Sequence, residues 1–230
     1  MYNIKTLRGT IFCPPIQYSK DFVASLAPIV EGYLPILVRD NNTLPIFPVW
    51  QLSSLDEKEL LAFNGEKIDL ISVVESEIND EQVRAFCERC KVVFGKIMEL
   101  TGNPSTRMAL APTVVITQNG SRPTDLYNRI FNVHEFDGVE LDSSNLSQVY
   151  RVEKMIGEKN VIINFVSNFK AENELITTGN GNQIRVRYLC DFDVNTMPLP
   201  QYRFNKADVE VFFDSAPTYF SRFYNKYFDL

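Results

Sequence analysis

Ile184-Arg185-Val186-Arg187-Tyr188-Leu189-Cys190-Asp191-Phe192-Asp193-Val194 alternates without a break. Ile184, Val186, Tyr188, Cys190, Phe192 and Val194 fall on one face of an extended chain. Arg185, Arg187, Asp191 and Asp193, with Leu189 among them, take the other. A strand apolar on one face only belongs to an antiparallel sheet that is covered on one side. This reading sets the fold class, and the neighbouring segments agree with it.

Immediately upstream, Thr178-Gly179-Asn180-Gly181-Asn182 reads as a loose turn. Val161–Phe169, apolar on both faces, reads as a central strand. Gly157–Asn160 turns into it from a strand over Val149–Ile156, with Tyr150, Val152 and Ile156 inward. Downstream, Asn205 followed by Asp208 approximates a capping box. The helix it opens carries one apolar stripe: Val209, Phe212, Phe213, Ala216, Phe220, Phe223, Tyr224 and Tyr227. Pro217 predicts a kink, or a break into two helices, near 213–217.

The first half repeats the pattern. Residues 4–13 are β-prone and end at Pro14-Pro15. Ser19 predicts an N-cap for a short helix over 20–27, with Phe22, Val23 and Leu26 on one face. Leu34–Leu37 and Leu44–Phe47, separated by the turn formers Asp40–Thr43, predict a hairpin whose prolines place it at a sheet edge. Asn64-Gly65 predicts a type I′ turn into a strand over 67–74. Apolar residues at three- and four-residue steps predict a long helix over about 80–100, with Asn79 as cap and Gly102 as stop. Residues 108–117 predict a strand. The polar stretch Gln118–Pro123 is the best boundary, dividing the chain into 1–118 and 119–230, either separate or packed as one domain. The expected class is therefore α+β: antiparallel sheets with one long helix in each half, the C-terminal one kinked and rich in aromatics.

The 230 residues carry 45% hydrophobic and 12% aromatic side chains, enough to build a core and to argue against disorder. No stretch approaches the roughly 20 apolar residues of a membrane helix. The net charge of −6 opposes non-specific nucleic-acid binding and suits a basic protein partner. The N-terminus lacks the apolar core of a secretory signal, and the four cysteines are irregularly spaced. Both features lead to the expectation of a cytoplasmic protein with free thiols.

Few constellations could carry chemistry. Cys87 and Cys90 form a C-x-x-C pair well inside the long helix on its apolar side, where two buried core thiols are expected instead of a redox or zinc site. His134, the only histidine, stands beside Glu135 and Asp137 without a nucleophile elbow, and reads as a loop residue. Gly179-Asn180-Gly181 lacks the G-K-[ST] of a phosphate loop. Asp191 and Asp193 point the same way along one strand and form the candidate Mg²⁺ site of a phosphodiester or nucleotide hydrolase. Glu135, Asp137 or Glu153 would be further ligands, and Arg185 or Arg187 would face the phosphate. The same strand fits a solvent-facing set of ion pairs. Arg185 and Arg187, and the aromatics Phe220, Tyr224 and Tyr227, are the candidate binding residues of a protein or subunit interface.

Leu189–Thr196, Tyr202–Asn205 and Val209–Phe213 together have an acidic-apolar-acidic strand, an Asn-Thr step and an amphipathic helix ending in aromatics. This resembles the C-terminal pattern of a sporadically distributed family of uncharacterised bacterial proteins, and Pro14-Pro15-Ile16 is similar to their N-terminal Pro-Pro-Ile. The match covers the final quarter and that short N-terminal stretch. It implies a bacterial cytoplasmic protein of mobile gene neighbourhoods, linked to phage defence or toxin control, and supplies no catalytic residues. The function expected is a non-catalytic interaction or regulatory module, a homo-oligomer without a cofactor. A Mg²⁺-dependent hydrolase and a nucleotide-binding sensor are the alternatives.

Overall fold

The computed structural model describes residues 2–38, 49–74, 80–119, 143–179, 181–198, 200 and 203–228. Among these residues ten antiparallel strands and three helices are arranged in the order β1 (Tyr2–Phe12), α1 (Lys20–Leu26), β2 (Leu34–Val38), β3 (Val49–Ser53), β4 (Glu59–Asn64), β5 (Lys67–Val73), α2 (Asp80–Thr101), β6 (Arg107–Leu110), β7 (Thr113–Asn119), β8 (Ser143–Ile156), β9 (Lys159–Thr178), β10 (Gly181–Thr196) and α3 (Lys206–Phe228). The α+β class holds, with one large sheet where several were expected. Its order is β2-β3-β4-β5-β1-β6-β10-β9-β8, with β7 also between β1 and β10.

β6 and β7 are one strand in all but a single bond. They keep the same register on β1 (Gly9 opposite Leu110, Thr6 opposite Thr113) and on β10 (Val194 opposite Leu110, Asp191 opposite Thr113). Ala111 exchanges both backbone hydrogen bonds with Arg8, whereas Pro112 accepts from Phe192 N–H and has no N–H to return. Through this strand the ladder passes from the segment before residue 118 to the one after it.

The described helices lie on one face. Leu7 and Ile11 of β1, Ile68 and Leu70 of β5, and Val186, Tyr188, Cys190, Phe192 and Val194 of β10 are buried beneath them. The expected alternation of β10 holds except at its start, where Ile184 is exposed. α2 buries Val83, Phe86, Cys87, Cys90, Val93, Phe94, Ile97 and Met98. It runs antiparallel to α3, with Lys91 paired to Asp214 and Glu99 to Lys206. α2 comes so close to β1 that a Cβ on Gly9 would lie 2.4 Å from the Cys90 sulfur.

Local chemistry sets the element ends. Ser19 caps α1 by accepting from Phe22 N–H at 3.1 Å. Gly102, with φ +66, donates to Met98 O and stops α2. Asn205 and Asp208 form the capping box reciprocally, at 3.0 and 2.8 Å.

Several expectations are corrected. The β4–β5 turn is Gly65-Glu66, since Asn64 pairs with Lys67. Of the described non-glycine residues only Glu57 has positive φ, so Gly65 alone carries it in this turn (+60). That fits type II′, not type I′. Among the described strands β2 sits at the sheet edge, but it pairs with Val49–Ser53, and 44–47 lie outside the described residues, as does Asn79. α3 runs through Pro217 as one helix, so the break into two does not occur. α1 (Lys20–Leu26) is the short helix expected over 20–27, so the described helices are that one and the two long ones.

Candidate functional site: the helix-free face and its β8–β10 side

The opposite face of the sheet carries no helix among the described residues, and its polar side chains line up. Arg151, Asn164, Asn195, Ala109, Thr10, Asp69, Ala62 and Gln51 stand opposite one another, strand to strand, from β8 to β3. At about 4.8 Å per strand the row is about 34 Å long. Its members bond along it. Arg151 Nε donates to Asn164 Oδ1 (3.2 Å), Asn164 Nδ2 to Asn195 Oδ1 (3.1 Å) and Thr10 Oγ1 to Asp69 Oδ1 (2.6 Å). Lys67 closes on Asp69 at 2.8 Å. Thr10, Asp69 and Asn195 are almost inaccessible, so these bonds are what makes their burial tolerable.

Asp191 and Asp193 lie on this face as the alternation predicts, but in different surroundings. Thr113 Oγ1 donates to Asp191 Oδ1 at 2.7 Å. Asp193 is mostly buried, and desolvation pushes its carboxyl above the usual range. A hydrogen bond from Asn195 and the charges of Arg107, Arg8 and Lys67 pull the other way. Its Oδ1 is buried without a hydrogen-bond partner among the described residues, as is Arg107 Nε. The Arg107 guanidinium lies 5.1 Å from the centre of the Phe12 ring. Asp193 thus has a desolvated carboxyl with three protein cations already near it, a poor donor for a further cation. Among the described residues no three His, Cys, Asp or Glu side chains gather as metal ligands. Glu153 is engaged by Asn160 Nδ2 (3.2 Å), and Glu135, Asp137 and His134 lie outside the described residues. Arg185 pairs with Glu174 at 2.8 Å. Arg187 shares the face but stands four residues from Asp191, about 13 Å along the strand.

Of the candidate aromatics, Phe220 is a core residue. It is 2% exposed and packs edge-on against Phe192, so it offers no surface to a partner. The side chains of Tyr224 and Tyr227 lie outside the described residues. Cys87 and Cys90 are buried free thiols, as expected. Burial pushes Cys87 up to about 12 and Cys90 well above its ordinary range, so neither is a thiolate nucleophile near neutrality.

A cleft of about 550 Å³ opens on the helical side between α2 and β4–β5, lined by Leu7, Lys58, Glu59, Ser72, Phe86 and Arg89 among others. Sequence reasoning missed it, because Tyr33, Glu59 and Arg89 are distant in the chain. Arg89 Nε donates to Glu59 at 3.0 Å, and the Tyr33 hydroxyl donates to the same oxygen. Burial first, then this hydrogen bond, pushes Tyr33 up to about 12. The wall is therefore a closed ion pair with a neutral phenol, without a poised base or nucleophile.

Several exposed apolar side chains lie on β8–β10, Leu175 and Ile184 on the helix-covered face and Val149 and Met155 on the other. Past the ends of β7 and β8, β9 and β10 pair only with each other among the described strands. There Leu175 stands opposite Ile184, 65% and 43% exposed. Val149 and Met155 of β8 are 51% and 59% exposed. Compared with known proteins, the chain matches no family model and no curated relative.

Proposed function

We propose that this protein is a non-catalytic interaction module that binds another polypeptide through the β8–β10 side of its sheet. The observation that carries the reading is the β9–β10 ribbon with its Leu175–Ile184 pair. Two unsupported strands are marginal in water, and a cross-strand apolar pair facing solvent gains stability only when another surface covers it. The closed Tyr33–Glu59–Arg89 wall and the desolvated Asp193 with cations already near it support binding over hydrolysis. The acidic chain suits a basic partner, and the C-terminal resemblance suggests a regulator in phage defence or toxin control.

Native mass spectrometry of protein purified from its own host in mild salt tests the reading. The expected result is a complex with another polypeptide that Leu175→Asp plus Ile184→Asp removes while the fold persists. A lone chain carrying stoichiometric metal or nucleotide overturns it.

A further inference from the structure

We propose that two copies of this chain join through the outer edge of β8, antiparallel about a two-fold axis at Val152, to make one continuous sheet. This goes beyond the interaction reading above: the β8 edge is a second surface, separate from the Leu175–Ile184 pair, and its partner is a second copy.

The two edges of the sheet differ. β2 is 5 residues long and contains Pro35, which lacks an N–H to offer. β8 is 14 residues long, contains no proline and pairs with β9 along its whole length. No described strand lies on its other side. The two-residue turn at Gly157-Glu158 closes on Ile156 opposite Lys159, a hydrogen-bonded pair in such hairpins. By alternation, residues 149, 151, 153 and 155 aim their N–H and C=O groups outward. Their side chains all lie on the helix-free face.

The sequence of this edge is complementary to itself in one register. With Val152 on the axis, Arg151 faces Glu153 of the second copy, Glu153 faces its Arg151, and Val149 and Met155 cover each other. Moving the axis one residue either way sets Arg151 opposite Arg151 or Glu153 opposite Glu153, which is destabilising. Both charged side chains are already held in place, Arg151 by Asn164 and Glu153 by Asn160, so pairing orders little that is free.

Sedimentation equilibrium on the full chain tests this. The wild type is expected to dimerise. Arg151→Glu and Glu153→Arg, each placing two like-charge pairs in the interface, are expected to weaken the dimer about tenfold or more. An equimolar mixture of the two variants recovers association as a heterodimer, because each then faces the opposite charge. The double charge swap recovers it in one chain. Recovery on mixing also shows that the single variants are folded. A dimer indifferent to these reversals overturns the β8 edge and leaves the interaction reading standing. A monomeric wild type overturns self-pairing, and whether a different protein co-purifies then decides the broader reading.

Discussion

Asp193 shows how far a side chain's surroundings can depart from what its sequence position suggests. In the sequence it is half of an acidic pair, and the pair suggests a metal. In the fold it is a buried carboxylate, one oxygen of which has no hydrogen-bond partner among the described residues, near the charges of Arg107, Arg8 and Lys67. Its folded pKa is raised above the unfolded value, so ionising it costs more in the fold than in the unfolded chain. The corresponding stability is present below the ordinary carboxylate pKa and is lost as pH rises through the folded one. Asp193→Asn is therefore expected to raise the urea midpoint at pH 7, with the gain disappearing near pH 3. A lower midpoint at pH 7 would show that the three cations outweigh desolvation. The buried row containing Thr10, Asp69, Asn164 and Asn195 could not be read from the sequence. Thr10 and Asp69 are 59 residues apart and Asn164 and Asn195 are 31 apart, and only strand register brings them together.

Among the elements, α2 and β1 make the closest approach, at Gly9. Gly9→Ala would force its new methyl into the Cys90 sulfur, with the rings of Phe94 and Phe213 at 3.4 Å closing the alternatives. Overpacking of this kind costs about 1–3 kcal/mol. Cys90→Ala should cost less on its own and should recover part of the Gly9→Ala loss in the double variant, because the two sites share one space. Denaturant midpoints of the four proteins check this, and strict additivity would contradict the contact. Elements set by local chemistry were legible in advance: the Ser19 cap, the Gly102 stop, the Asn205–Asp208 box and the period of β10. What failed depended on choices between neighbours. The β4–β5 turn slipped by one residue because Asn64 is needed in the ladder opposite Lys67. α3 continues through Pro217 because that residue is itself buried within the packed helix, where tertiary contacts outweigh a lost hydrogen bond.

At the scale of the whole molecule, the β6–β7 strand makes one ladder of the two segments. Unfolding is expected to be a single event. Trp50, the only tryptophan, is wholly buried near the β2 margin, its ring stacked 3.7 Å from that of Phe63. Its fluorescence and the far-UV circular dichroism should therefore change at the same urea concentration. A tryptophan transition at lower urea would mean that the β2–β4 margin lets go independently. The membrane expectation holds in its limited form: among the described residues no helix is long and apolar enough to cross a bilayer. β1 is the earliest of the described elements in the chain, yet it lies between β5 and the β6–β7 strand. On the ribosome it must therefore wait for residue 67 to gain one neighbour and for residue 107 to gain the other. Throughout that interval its apolar face and open ladder are unprotected, so a stalled or truncated chain would expose an adhesive segment that the finished protein hides.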